Sequence, residues 1–200
     1  MYRVDFEFNG EIHPATLERY KQDETETLQY LLTRVKLNMP NGTILMIPDK
    51  DRNPRPWMVY WLESMKASGY NRYVVLKMTH YISWVARDKS NQESWAYMYG
   101  SQNANLKDTL MSGRGGVLYS ENQNSNFFVL PTNSNLNRDD YLEIGDDTLK
   151  EAYRVTGYDI QSTPGVEYAT VDPVYIRDKT PAPARQENES EDDFYWLRGG

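Results

Sequence analysis

The 200-residue chain reads as a mainly β protein: a small antiparallel β-barrel or sandwich with one helix in the N-terminal region, long loops and an extended C-terminal tail. Three observations predict this class. Short segments rich in Val, Ile, Tyr and Trp recur along the chain, and such side chains suit a pleated surface. Clusters of Asn, Gly, Asp and Ser separate them at close intervals, as turns between strands require. Helical spacing of apolar residues is confined to residues 25–36.

The elements follow in order. "VDFEFNGEI" alternates Val4, Phe6 and Phe8 with Asp5 and Glu7 and then reaches Asn9-Gly10, which predicts a strand entering a tight hairpin turn. Over residues 25–36, Leu28, Leu31, Leu32 and Val35 recur at helical spacing. Acids stand in front of them and Arg34 and Lys36 behind, matching a helix dipole. "MPNGT" ends that helix, "ILMIP" reads as a strand, and "DKDRNPRP" is a loop. Residues 58–100 then predict an antiparallel meander, in which "YVVLKMTHYISWVARD" is long enough to need a bend or a bulge. Residues 101–138 are dense in Asn, Ser and Gly around one strand, "FFVLP". "YLEIGD", "EAYRVTGYDI", "TPGVEYATV" and "VYI" supply the last strands.

Residues 1–178 are thus expected to form one β-rich domain. Residues 179–200 form an acidic arm, because "TPAPARQENESEDD" holds too little apolar surface to build a core. The arm ends in Phe194, Tyr195, Trp196 and Leu197. These read as a docking motif for a neighbour, as a final strand of the domain's own core, or as scattered exposed aromatics.

One stretch poses a packing problem. In "RPWMVYWLESM", Trp57, Val59 and Trp61 are expected on one strand face and Met58, Tyr60 and Leu62 on the other. Both faces are apolar, so both need cover. The helix at 25–36 or a second subunit are the two expected covers. The whole chain carries sixteen Tyr and five Trp, amphipathic rings that suit half-buried surfaces and subunit contacts.

Composition narrows the function. There is no cysteine, which removes disulfides, thiolate metal sites and cysteine nucleophiles. "MYRVDFEFNG" has neither a basic nor an apolar leader region, so no signal peptide is expected, and no apolar run approaches a membrane span. The net charge of −7 opposes broad attraction to phosphate backbones or anionic lipid. Arg52, Arg55, Arg72 and Lys77 do neighbour aromatics, a pattern also used on single-stranded nucleic acid. His13 and His80 show no metal spacing, and His80 inside a strand reads as a hydrogen-bonded structural residue. "SGRGG" lacks the Lys-Ser/Thr ending of a phosphate loop, and Asp49, Asp51, Asp146 and Asp147 read as solvated acids. No catalytic residue, cofactor or metal is expected, and the chain is read as no enzyme.

The strand motifs taken in order resemble the head-completion, or head–tail connector, proteins of tailed bacteriophages of Gram-positive hosts. The matching segments are Trp61-Leu62, residues 77–84, residues 95–100, Leu130-Pro131, Ile144-Gly145-Asp146, residues 153–156 and Pro164-Gly165-Val166. They span roughly residues 45 to 178, and the Asn-rich middle and the acidic arm fall outside the pattern. The resemblance implies a structural virion protein of the neck, made in the host cytoplasm. Such a protein forms a homo-oligomeric stopper ring, hexameric or dodecameric, with a portal or adaptor ring above and a tail terminator or tail tube below. Packaged DNA would pass through without sequence-specific binding, and no membrane is involved. Trp57, Tyr60, Trp61, Phe194, Tyr195, Trp196 and Leu197 are the expected interface residues. Arg52, Arg55, Arg114, Asn122 and Asn124 are the expected channel-facing or tail-facing loop residues. Another connector component, or a carbohydrate- or peptide-binding β module with an aromatic groove, are the alternatives.

Overall fold

The computed structural model describes residues 1–20, 27–34, 37–66, 69–99, 126–132, 134–146, 149–159 and 163–174. These residues are mainly β. The strands are β1 (Tyr2–Phe8), β2 (Glu11–Arg19), β3 (Leu28–Arg34), β4 (Ile44–Pro48), β5 (Pro54–Lys66) and β6 (Tyr70–Lys77). They continue with β7 (His80–Val85), β8 (Asn91–Tyr99), β9 (Asn126–Pro131), β10 (Tyr141–Asp146), β11 (Leu149–Asp159) and β12 (Val166–Val174).

The first six strands form one sheet in the order β1-β2-β3-β6-β5-β4. It curls until β1 and β4 lie alongside each other without pairing, so it is a split barrel. The other six form a closed barrel in the order β10-β11-β12-β9-β8-β7. Two three-strand meanders build it, joined antiparallel through β9–β12 and β7–β10.

The Asn9-Gly10 turn forms as expected, with positive φ at both residues (54° and 78°), the backbone of a tight type I′ hairpin. The expected helix at 25–36 does not. Its described part is strand β3, paired on both sides to β2 and β6. The physical reason is burial on two faces. Leu28, Tyr30 and Leu32 face the second barrel, while Leu31 faces the first barrel's interior. A strand covered on both sides reads as a continuous apolar run, and a short run of that kind imitates helical spacing. "YVVLKMTHYISWVARD" also differs from one bent strand. It breaks at Met78-Thr79 into β6 and β7, which belong to different barrels.

Three cores result. Val4, Phe6, Leu17, Leu31, Leu45, Ile47, Trp57, Val59, Tyr73 and Val75 fill the first barrel. Ile82, Trp84, Phe128, Leu130, Leu142, Tyr153, Val155 and Val171 are among those filling the second. Between the barrels, Leu28, Tyr30, Met58, Tyr60, Val74 and Leu76 on the first meet Tyr97, Tyr99, Phe127, Val129, Val166 and Tyr168 on the second. The second face of β5 is therefore covered by the chain's own second barrel.

A bulge refines the expected faces of β5. Val59 opposes Val75 and Trp61 opposes Val74, so Tyr60 is the extra residue. The parity of the strand flips there. Trp57, Val59 and Leu62 turn inward, and Met58, Tyr60 and Trp61 turn to the seam.

At one end of the seam the two backbones touch. Gly42 and Gly165 both take positive φ (83° and 87°), and a Cβ on either would overlap the other loop's backbone. The Asn41 side-chain amide donates to the Pro164 carbonyl at 2.9 Å beside them. Two consequences are measurable. Leu76→Ala should cost about 2–5 kcal/mol in urea unfolding. Gly42→Ala should also destabilise, and wild type and both variants should unfold in one transition, with Trp fluorescence and far-UV dichroism coinciding.

Candidate functional site: the mouth of the first barrel

The two ends of the first barrel differ. One is plugged by the connector at 37–39. The Tyr73 hydroxyl donates to the Leu37 carbonyl at 2.8 Å, and the Met39 amide donates to the Tyr73 oxygen at 3.1 Å. The Asn71 side-chain amide donates to the same Leu37 carbonyl at 3.1 Å.

At the other end the inward-facing positions turn polar. Strand alternation puts Tyr2 in line with Val4, Gln29 with Leu31, Arg55 with Trp57, and Lys77 with Val75. With Asp49, Lys50 and Asp51 of the β4–β5 hairpin they line a cleft of about 170 Å³, in which Trp57 lies beneath the polar layer. Gln29 is 8% exposed, and its Oε1 has no hydrogen-bond partner among the described residues. Lys77 is exposed, directly opposite Trp57 across the β5–β6 ladder.

Asp49 organises the hairpin. Its Oδ1 accepts from the amides of Asp51 and Asn53, each at 2.9 Å, and its Oδ2 accepts from Arg55 Nε at 3.1 Å. The Asn53 amide above all, with Arg55 and the Asp51 amide, holds the Asp49 carboxyl below its usual range. Arg52 sits exposed at the hairpin tip with φ 64°.

Of the two arginines expected in the loop, Arg52 lies there, while Arg55 stands at the start of β5 and lines the cleft with Trp57. Trp57 and Tyr60 are buried within the chain, and Trp61 packs half-buried on the seam with its ring 4.5 Å from that of Tyr60. The Tyr60 and Tyr168 hydroxyls bond to each other, and Thr163 Oγ1 lies 3.1 Å from the Tyr168 oxygen. Burial first, then Tyr168, pushes the Tyr60 phenol far up. Phe194, Tyr195, Trp196, Leu197, Arg114, Asn122 and Asn124 lie outside the described residues.

Arg72 is committed to the seam. Its Nε stands 2.7 Å from Glu63 Oε2, its guanidinium lies 3.6 Å over the Tyr30 ring, and Tyr30 donates to Glu63 at 3.0 Å. His80 bonds the Thr79 hydroxyl at 2.7 Å, and burial lowers its pKa against the pull of Glu151. Gln29 was missed in the sequence, although a lone Gln in an apolar strand is a signal. Glu167 was missed too. It faces the second barrel's interior, 3% exposed, and accepts from Ser134 at 2.5 Å. Among the described residues no group of three or more His, Cys, Asp and Glu is placed to hold a metal.

No family model and no curated protein matches the chain. A solved structure described as MrkH, a c-di-GMP-dependent transcription regulatory factor, is similar at 10% identity and a TM-score of 0.26. That likeness covers 88% of this chain and 77% of the other.

Two titrations follow. The Asp49 pKa is lowered, so the carboxylate's support of the hairpin is present above the ordinary aspartate pKa and lost as pH falls through the lowered value. The Asp51 and Asn53 amide shifts should titrate below the usual range in NMR, and Asp49→Ala should abolish that titration without unfolding the protein. Burial raises the Glu167 pKa, with Ser134 opposing, so the protonated form suits the fold. Its contribution is present at low pH and lost as pH rises through the raised value. Glu167→Gln should therefore raise the melting temperature at pH 7 and leave it nearly unchanged at pH 4.

Proposed function

We propose that this chain is a structural protein of the phage neck, a head-closure or stopper subunit that assembles as a ring, seals the DNA channel and joins head to tail. The order of the strand motifs carries the reading. Trp61-Leu62 lies on β5, residues 77–84 run from the end of β6 through β7, and residues 95–99 lie on β8. Leu130-Pro131 ends β9, Ile144-Gly145-Asp146 ends β10, residues 153–156 lie on β11, and Pro164-Gly165 turns into β12. From residue 80 onward the segments that prompted the resemblance fall on the strands of the second barrel, while Trp61-Leu62 and Lys77 belong to the first.

Two further features support it. A ring interface is heterologous and works best between rigid subunits, and a wide apolar seam makes the two barrels one body. A net charge of −7 disfavours a general grip on DNA by the chain as a whole, since each cation on a phosphate adds salt-sensitive affinity. The β4–β5 hairpin is the described loop assigned to the channel or tail, and the arm at 179–200 is assigned to a neighbouring subunit. A peptide-binding β module is the second reading, favoured by the cleft beside Trp57.

The test is assembly. Light scattering of the full chain should give six or twelve times the 23.4 kDa subunit mass, on its own or with its portal-side partner. Deleting residues 180–200 should reduce ring formation and head–tail joining at least tenfold. Unchanged joining after the deletion would remove the arm's role, and a chain that stays monomeric beside its partners would overturn the neck reading.

A further inference from the structure

We infer that the mouth of the first barrel is a docking site for an acidic peptide segment, and that its occupant is the acidic stretch at 187–193 of a second copy of this chain. This rests on the ring reading and names the surface that the arm takes.

Three observations converge on the cleft. The first is Gln29. A buried carbonyl oxygen without a donor costs about 1–3 kcal/mol. Among the described residues the Gln29 Oε1 is such an oxygen, and its side chain lines the cleft. What it lacks is an N–H or O–H donor, and an extended peptide presents backbone N–H groups at regular spacing.

The second observation is charge. Lys50, Arg55 and Lys77 line the cleft, and Arg52 stands at the tip of the same hairpin. The opposing acids are Asp49 and Asp51. Asp49 is already engaged by two amides and by Arg55 Nε. Asp49 and Arg55 offset each other, and by formal charge the described lining with Arg52 carries four cations (Lys50, Arg52, Arg55, Lys77) against two acids (Asp49, Asp51). In a chain of net charge −7, a locally cationic mouth is complementary to carboxylates from the chain's own kind.

The third observation is size and chemistry. A cleft of about 170 Å³ admits a side chain or two of an extended segment and no folded element. Tyr2 and Trp57 give it aromatic walls. The arm sequence "QENESEDDFYWL" offers Glu187, Glu189, Glu191, Asp192 and Asp193, followed at once by Phe194, Tyr195 and Trp196. It supplies carboxylates for the cations, amides for Gln29 and rings for the rim. The arm follows β12 of the second barrel, whereas the cleft belongs to the first. In a head-to-tail ring the arm of one copy then meets the first barrel of the next.

The experiment uses the full chain with its arm neutralised (Glu187, Glu189 and Glu191→Gln; Asp192 and Asp193→Asn) as receptor. A fluorescein-labelled synthetic peptide of residues 186–197 is titrated against it by anisotropy. Saturable binding is expected, weakened by salt and weakened about tenfold or more, or about 1.4 kcal/mol, by Gln29→Leu and by Lys77→Glu. Both variants should fold, since one removes a buried unpaired carbonyl and the other alters an exposed side chain; circular dichroism checks this. No saturable binding, or binding unmoved by both substitutions, overturns the docking site. A wild-type chain that excludes the peptide equally at every protein concentration holds its own arm, and that overturns the second-copy assignment. Rings that form from the Lys77→Glu chain as from wild type leave the neck reading standing and remove this one. Peptide capture by a chain that never forms rings on its partners does the reverse for the neck reading.

Discussion

The structure depends on a sheet that is apolar on both faces. β3, β6 and β5 supply one side of the first barrel's core and one wall of the seam. A sheet of this kind has no stable place at a water boundary, because each large apolar side chain left exposed forgoes about 1.5–3 kcal/mol. The second barrel answers it in kind. β8, β9 and β12 turn Phe128, Leu130 and Val171 inward and Tyr97, Phe127, Val129 and Tyr168 outward to the seam. Neither barrel is a complete solution alone, and burial of the two outer faces against each other makes them one folding unit.

Polar groups in the seam set its geometry. Tyr60, Tyr168 and Thr163 bond to one another across it, so the phenols are not left unpaired in an apolar layer. At one edge, Arg72 closes over Tyr30 and meets Glu63, which lets the sheet face grade from apolar to charged without an exposed patch. Gly42 and Gly165 allow the connecting loops to approach at backbone contact. These features specify one relative placement of the barrels, where apolar burial alone would accept several.

A strand with a plain alternation and the hairpin turn after it were legible. β1 showed its alternation, and Asn9-Gly10 its turn. β3 was not legible as a strand, because Leu28, Leu31 and Leu32 serve two different cores and their spacing carries no period of two. The face of Trp61 was misjudged for a related reason: a bulge at Tyr60 shifts parity, and no local residue announces it. The break at Met78-Thr79 was hidden too, since both β6 and β7 are apolar enough to read as one strand. At the candidate site, Arg52 and Arg55 were visible as hairpin cations. In the sequence Lys77 groups with them only as a cation beside aromatics, and Gln29 not at all, because their meeting in one cleft exists only once three strands are laid side by side.

The same two-sided burial bears on where contacts can be made. Trp57 and Tyr60 looked like interface residues because their strand was too apolar for a single covered face, and the chain itself meets that need: the first barrel's interior takes Trp57 and the second barrel covers Tyr60. The aromatic load of the described strands is therefore an account of the fold before it is an account of assembly. What the barrels leave for a partner are places where alternation ends: the polar layer at the first barrel's mouth, the hairpin above it, and the edges of β1 and β4, which approach without pairing. Ladder ends and unpaired edges have unmet backbone and side-chain groups, whereas a sealed barrel wall has none to offer. A chain built this way is held together through its seam, and the groups it has left to offer lie at its rims.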